Sequence, residues 1–252
     1  HSMNINPHLE LSNLLKDLGL KPGDTLMVHA SLRSLGEAMP ADTVIAGLRR
    51  ALGPLGTLAM PTLSYDSVTP ESPLFDTVDT PSCVGSLSKA FRLQQGVVRS
   101  LHPTHSAAAI GPRTPDLLAG HEWDTTPCGE HSPFARLHRL GGRILFLGCT
   151  LRVNTQMHAL EEQFMPDYLL QDKPVDFVLT DSRGRQVTSS VRCHSFAGYR
   201  QRYERLEALL PPESIKRGRL LAADCMLVDA QAAWDAAYQA MEQDPHYFVE
   251  AV

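Results

Sequence analysis

One predicted helix carries a histidine and two acidic residues at a spacing that suits proton transfer. Residues 142–150 have the pattern of a buried strand and a turn, and the helix that follows has His158 in its first turn. Glu161 and Glu162 come three and four residues later, so imidazole and carboxylate share one helical face. The helix dipole disfavours the imidazolium and the carboxylates favour it, which predicts a histidine able to act as a general base. A solvated His–Glu pair on a surface helix would give the same pattern.

Two loops combine cations with hydroxyl groups, as anion sites do. Ser31, Leu32 and Arg33 follow a buried strand, and residues 99–106 hold Arg99, His102, His105 and Ser106. Guanidinium and backbone N–H groups both favour phosphates, although a polar turn would need the same residues. His102 and His105 could ligate a metal, but no third ligand follows at a recognisable spacing, so we expect no metal site.

Cys149 offers a second kind of chemistry. It lies just after the predicted strand Arg143–Leu147 and precedes His158, an order compatible with a nucleophile and its base. No nucleophile-elbow motif surrounds it, and cysteines at strand ends are usually just packed. The five cysteines are widely spaced without a CxxC pair, which indicates reduced thiols rather than disulfides or a thiolate zinc site.

Acidic side chains are concentrated in loops that could face a cation. Glu122 and Asp124 lie in the polar segment 121–133, Asp66 lies in the aperiodic segment 61–82, and Asp167 follows the His158 helix. Solvated surface charges would look the same.

Composition limits the class of protein. The 252 residues are 43% hydrophobic and 20% charged, which is typical of a globular chain with one large core. A net charge of −5 argues against nucleic-acid binding, and no apolar run has membrane-spanning length. Without a signal-peptide pattern we expect a cytoplasmic protein with no membrane partner. His1-Ser2 before Met3 looks like a tag remnant, which leaves one domain over residues 3–252.

Predicted strands alternate with predicted helices in the first part of the chain, and a predicted β-hairpin follows. Strands are expected at Thr25–Ala30, Thr57–Met60 and Cys225–Val228, and a hairpin joins Asp176–Thr180 to Val187–Arg192. Helices are expected from near Asp42 to Leu52, at Gly85–Leu93, Pro133–Leu140 and about Ala230–Glu242, with residues 31–36 as a loop. We therefore predict an α/β fold: a mixed central sheet with helices on both faces and a smaller, less regular lobe at about 165–215.

Six short motifs occur in an order that resembles one family. They are Val28–Leu32, Gly56–Thr62, Thr80–Ser82 with Gly85, Arg99–Pro103, Ser132-Pro133, and Asn154–His158 with Glu161. Over nearly all of residues 8–245 the chain resembles the aminoglycoside 3-N-acetyltransferases, which are distinct from the common acetyltransferase fold with a pyrophosphate loop. The resemblance covers segment 165–215 loosely, and Val191–Ser195 lacks the aspartate that some members carry near the acceptor.

The resemblance implies acetyl-coenzyme A as donor and an aminoglycoside amine as acceptor, as a direct transfer in a ternary complex. It implies that His158 is the general base and that Glu161 orients it. The expected coenzyme A contacts are Ser31, Leu32, Arg33, Arg99, His102, Ser106 and Thr155, and the expected acceptor contacts are Asp66, Glu122, Asp124 and Asp167. Another amine as acceptor and an acyl-enzyme on Cys149 stay open as alternatives. A monomer and a homodimer are both compatible with the sequence.

Overall fold

A seven-stranded mixed sheet forms the centre of the protein. A computed structural model describes residues 6–37 and 39–252, so the predicted tag remnant at His1-Ser2 lies outside the described residues. In order across the sheet the strands are β10 (Ile215–Leu220), β11 (Ala223–Asp229), β6 (Arg143–Leu147), β1 (Thr25–Ala30), β2 (Thr57–Pro61), β5 (Ala107–Ile110) and β4 (Val98–Arg99). β1 is parallel to both β2 and β6. The neighbouring pairs toward both edges are antiparallel. The predicted mixed α/β class is confirmed.

The strands have the following bounds: β1 (Thr25–Ala30), β2 (Thr57–Pro61), β3 (Leu74–Asp76), β4 (Val98–Arg99), β5 (Ala107–Ile110), β6 (Arg143–Leu147), β7 (Val175–Thr180), β8 (Gln186–Val191), β9 (Tyr199–Gln201), β10 (Ile215–Leu220), β11 (Ala223–Asp229) and β12 (Val249–Ala251). The α-helices are α1 (Pro7–Asp17), α2 (Leu32–Leu35), α3 (Ala41–Leu52), α4 (Ser86–Arg92), α5 (Thr114–Leu118), α6 (Pro133–Arg136), α7 (Gln156–Glu162) and α8 (Ala230–Gln243). Short 3-10 turns join several of them, including one at Tyr203–Leu209.

Each face of the sheet has its own apolar core, because successive strand residues point to opposite sides. On one face Leu26 and Val28 of β1 pack with the apolar sides of α1, α3 and α4. On the other face Met27 of β1 and Phe146 of β6 pack with α5–α8. His29 also belongs to this second face, where its ring stacks on Phe146 at a centroid distance of 5.3 Å. The core thus places a histidine at the end of the central strand.

The carboxyl ends of the parallel strands approach one another closely. Gly148 directly follows β6 with φ +71°, and a Cβ there would lie 2.9 Å from Ser34 Cβ and 3.0 Å from the Ser31 carbonyl oxygen. Only glycine accommodates both the backbone conformation and this contact. The loops after β1 and β6 are therefore held together at one edge of the sheet, where open α/β folds bind ligands.

A smaller lobe covers this edge. β3, β7 and β8 form a three-stranded sheet around Phe75 and Phe177, and β9 pairs with β12. The predicted hairpin is confirmed as β7–β8. Segment 165–215 thus contains ordered strands, and its treatment as a variable lobe stays a prediction.

Several expectations about elements were wrong in detail. Residues 32–35 form the short helix α2 instead of a loop, and Pro133–Leu140 divides into α6 and a 3-10 turn. The aperiodic segment 61–82 contributes β3, which is too short to show an alternating pattern. Within the described ranges, no helix combines the length and the hydropathy needed to cross a bilayer.

Candidate active site

A cavity of about 930 Å³ opens at the carboxyl ends of β1, β2 and β6. Its floor includes His29 and Ser31 after β1, and Cys149 after β6. Thr155 and His158 form another part of the wall, and the smaller lobe contributes His194, Phe196 and Tyr199. The volume lies within the range of small-molecule sites.

Helix α7 presents His158 to this cavity. The side-chain oxygen of Asn154 accepts from the N–H of Gln156, the first residue of the helix, at 3.2 Å. The side-chain amide of Gln156 donates through Nε2 to the Ala230 carbonyl at 3.1 Å, which connects α7 to the start of α8. His158 follows with a side chain that is only 12% exposed. Its ring is therefore fixed by a short, anchored helix and reaches the cavity from a mostly buried position.

A chain of hydrogen bonds sets which nitrogen of His158 carries the proton. Tyr203 donates its hydroxyl proton to the fully buried carboxylate of Glu161. The Tyr203 oxygen lies 2.9 Å from His158 Nδ1, and since its proton is used, it accepts the Nδ1 proton. Glu161 Oε1 lies 3.4 Å from the same Nδ1 and favours the same tautomer. Nε2 is left with its lone pair, as a proton acceptor needs.

Glu161 is stabilised from two sides. Tyr168 donates to Oε2 while Tyr203 donates to Oε1, so both oxygens of the buried carboxylate are paired. Burial and the neighbouring Glu161 charge raise the pKa of Tyr203 far above its usual range, and they raise that of Tyr168 likewise. Both phenols therefore stay protonated and act as donors.

Three histidines meet in this part of the cavity. The ring centroid of His158 lies 4.4 Å from that of His194 and 5.8 Å from that of His105. One ring nitrogen of each of the three lies within 4.8 Å of the others. Burial, followed by the neighbouring His158, holds the pKa values of His105 and His194 well below the usual range. Both rings are therefore neutral at physiological pH.

The family model of the aminoglycoside 3-N-acetyltransferases matches residues 27–242 of this chain. The chain belongs to this family. Aminoglycoside N(3)-acetyltransferase IX of Micromonospora chalcea is 30% identical over 257 aligned residues, covering 90% of each chain. Aminoglycoside N(3)-acetyltransferase VII of Streptomyces paromomycinus is 38% identical over 170 residues, but the chain spans only 58% of the length of that relative.

Solved acetyltransferase structures share the fold. AAC(3)-IVa, crystallised as a histidine-to-alanine mutant with a gentamicin, superposes with a TM-score of 0.81 at 28% identity, covering 98% of this chain and 93% of the other. AAC-IIIb with CoASH gives a TM-score of 0.79 at 27% identity, covering 94% and 96%. The resemblance inferred from the six motifs is thereby confirmed.

Four of the predicted site residues lie at the cavity of this acetyltransferase-family protein. Ser31, Thr155 and His158 line the cavity, and Glu161 stands directly behind His158. Leu32 and Arg33 belong to α2, next to Ser31 but outside the cavity wall, and Arg33 is exposed. The structure thus brings together part of the expected coenzyme A set and both expected catalytic residues.

Arg99 and Ser106, which the sequence predicts as coenzyme A contacts, are bonded to each other and to protein carbonyl groups. Arg99 donates through Nε to Ser106 Oγ at 3.0 Å, through Nη2 to the Thr62 carbonyl at 2.9 Å, and through Nη1 to the Thr80 carbonyl. Its guanidinium also stacks 4.9 Å from the Phe75 ring centre. Both residues are buried and lie outside the cavity wall. They join β2, β4 and segment 61–82, and every guanidinium nitrogen donates to a protein oxygen.

Both ring nitrogens of His102 likewise have hydrogen-bond partners within the protein. Its Nε2 donates to the Thr126 carbonyl at 3.0 Å, and its Nδ1 accepts the N–H of His105 at 3.0 Å. Burial lowers its pKa to about 4, so the ring is neutral. Of the two loop histidines, His105 faces the cavity and His102 supports the turn that aims it.

The four acidic residues expected to contact the acceptor lie outside the cavity wall. Asp66 is exposed beside the lining residue Tyr65, and Asp167 is exposed and paired with His246 at 2.8 Å. Asp124 is buried and accepts from His131 at 2.9 Å, and the Glu122 carbonyl accepts from Ser189 at 3.2 Å. Among the described lining residues none is Asp or Glu.

Sequence reasoning missed three residues of the site: Tyr203, Tyr168 and His194. Tyr203 lies 45 residues from His158 and comes from a 3-10 turn, so no periodicity links the two. His194 follows the hairpin, within the stretch Val191–Ser195 that lacks the aspartate some family members carry. That departure from the family pattern was the one available signal.

Proposed function

We propose that this protein is an acetyl-coenzyme A-dependent aminoglycoside N3-acetyltransferase in which His158 is the general base. The observation that carries the proposal is that Tyr203 and Glu161 hold Nδ1 of His158 while its ring lines the cavity, which leaves Nε2 to accept a proton. Relatives named aminoglycoside N(3)-acetyltransferases, and similar structures crystallised with CoASH and with sisomicin, support the substrate pair.

The proposed reaction is a direct transfer. The acceptor nitrogen attacks the thioester carbonyl carbon while His158 Nε2 removes its proton. A C–N bond forms, the C–S bond breaks, and the proton passes from the imidazolium to the departing sulfur, which gives the amide and free coenzyme A. Glu161 stabilises the imidazolium through Tyr203, and base assistance of this kind contributes about 10²–10⁴-fold in rate.

The thioester oxygen needs a donor while it carries negative charge. The backbone N–H of Ser31 is bound to the Leu147 carbonyl, so it is not available. The Ser31 hydroxyl accepts from Ser34 at 3.1 Å and keeps its own proton to donate. We therefore assign the Ser31 hydroxyl to the thioester oxygen, and exposed Arg152 of the cavity wall to a coenzyme A phosphate.

Cys149 is poorly suited to the acyl-enzyme route. Its thiol donates to the His29 carbonyl at 3.4 Å, and burial raises its pKa to about 12. A nucleophilic cysteine needs thiolate at working pH, which requires a lowered pKa.

A different amine as acceptor is the second candidate, because the cavity wall lacks carboxylates among its described residues. A polycationic aminosugar would gain from acidic contacts, whereas a less charged amine would not need them. The described wall offers histidines, tyrosines and two arginines instead.

Thiol release from acetyl-coenzyme A with a panel of acceptors tests the proposal. The panel contains aminoglycosides and singly charged amines, each measured with wild type and Cys149→Ala. We expect release with an aminoglycoside and unchanged turnover in the variant. Turnover with simple amines alone would reject the antibiotic acceptor and keep the reaction, and an acyl-enzyme lost in Cys149→Ala would reject direct transfer.

A further inference from the structure

We propose that His105, His158 and His194 form a Zn²⁺ site in the acceptor part of the cavity, and that the metal competes with the acceptor amine for His158. One nitrogen from each ring lies within 4.8 Å of the other two. Tetrahedral zinc with Zn–N bonds of about 2.0–2.1 Å needs nitrogens about 3.4 Å apart. Small side-chain rotations would therefore close the site.

The second nitrogen of two of these rings is already anchored, as in zinc sites. His158 Nδ1 is bound to Tyr203, which is bound to Glu161. His105 Nδ1 lies 2.9 Å from the Thr104 hydroxyl. In both rings Nε2 is the atom left to ligate. The Tyr203–Glu161 chain would hold His158 as a neutral ligand as well as it holds a base.

His194 supplies an independent observation. Its Nε2 is buried and has no hydrogen-bond partner among the described residues. A buried polar atom without a partner is costly, and a bound cation would remove that cost. The ring lies 4.8 Å from that of His105 and 4.4 Å from that of His158, and one of its nitrogens is among the three that lie within 4.8 Å of one another.

The donor set indicates the metal. Three imidazoles suit zinc and other borderline transition ions, whereas Mg²⁺ and Ca²⁺ prefer oxygen ligands. No carboxylate from the described wall shares the position. A fourth ligand position would face the cavity, where water or the acceptor amine can enter. A metal on Nε2 occupies the lone pair that the proposed reaction needs, so occupancy blocks acetyl transfer.

Calorimetric titration of chelator-treated protein with Zn²⁺ tests the site directly, with Mg²⁺ as the hard-cation control. We expect one equivalent of Zn²⁺ bound by wild type. At least about 100-fold weaker binding is expected in His105→Ala and His194→Ala. His194→Phe keeps an aromatic ring without nitrogens, and it should lose zinc while circular dichroism shows a folded chain. His8→Ala, in α1 on the other face of the sheet, should bind as wild type does.

Absence of zinc binding, or one equivalent retained in all three cavity variants, overturns the site. In the thiol-release assay, inhibition that follows zinc occupancy and is reversed by chelator supports the competition, and full turnover at saturating zinc overturns it. The competition rests on the proposed function, whereas the titration needs no turnover. An inactive metal-free protein would therefore reject the proposed function and leave the zinc site to be decided by binding.

Discussion

Two polar clusters of this protein come from equally prominent motifs, yet only one has an atom left for a substrate. In the cavity cluster (His158, Tyr203 and Glu161) the hydrogen bonds end at Nδ1 and leave Nε2 free. In the arginine cluster (Arg99, Thr62 and Ser106) all three guanidinium nitrogens donate to protein oxygens. The comparison teaches that a motif residue can do chemistry only where the fold leaves one of its polar atoms without a partner.

Removing the free nitrogen should have the largest effect. His158→Ala eliminates the proposed proton acceptor, and we expect kcat to fall by about 10²–10⁴-fold. Coenzyme A affinity by calorimetry should stay within a factor of about two, because the role proposed for the ring is toward the reacting amine and not toward the phosphates. A loss below tenfold in a folded variant would contradict the assignment of His158.

Breaking the arginine cluster should change stability instead. Arg99→Met removes donors from several buried acceptors, and we expect the free energy of unfolding to fall by about 2–4 kcal/mol. Denaturant titration measures the loss, and exposed Arg183→Met in the β7–β8 turn is the matched control. Unchanged stability together with a raised KM for acetyl-coenzyme A would show that Arg99 binds the cofactor after all.

Glu162 extends the comparison, because it is the sequence neighbour of Glu161 but its carboxylate, like the guanidinium of Arg99, is bound to protein groups on both sides. It accepts from the Thr126 hydroxyl and from the Cys128 N–H at 2.6 Å, and burial raises its pKa to about 7 from a usual 4.5. The folded state then holds more protons than the unfolded state between these values, so wild-type stability falls as pH rises through that window.

Glu162→Gln lacks this titration. Relative to wild type, its free energy of unfolding should rise between about pH 5 and pH 8, by at most about 3 kcal/mol. Denaturant titrations at several pH values measure the difference, with exposed Glu71→Gln as control. A difference independent of pH would show that Glu162 is ionised throughout.

The smallest predicted effect is a difference in kcat between variants of the two tyrosines that donate to Glu161. Tyr203→Phe breaks the link from Glu161 to His158, and we expect kcat to fall by about 10–100-fold with KM nearly unchanged. Tyr168→Phe leaves that link intact and should cost less. Equal losses in both variants would mean that the tyrosines act through folding and not through the orientation of His158.

The sequence predicted the parts of the fold whose signals are local. Strands β1 and β6, the β7–β8 hairpin and helix α7 each show their own pattern in a short window, and His158 with Glu161 followed from helical spacing. β3 was missed because its pairing partner, β7, is distant in the sequence.

The partners of His158 could not be predicted for a related reason. Tyr203 and His194 reach His158 only because the smaller lobe folds over the sheet edge. The protein partners of Arg99 and His102 could not be predicted either, since residue type does not reveal that nearby carbonyl oxygens accept from their side chains.

The tautomer of His158 tests the central claim most directly. Nitrogen-15 NMR of histidine-labelled protein, assigned by comparison with His158→Ala, reports which ring nitrogen carries the proton. A neutral ring protonated at Nδ1, with Nε2 bare at pH values where the enzyme turns over, is the predicted result. A proton on Nε2 would mean that the Tyr203–Glu161 chain does not set this tautomer, and it would contradict His158 as the base.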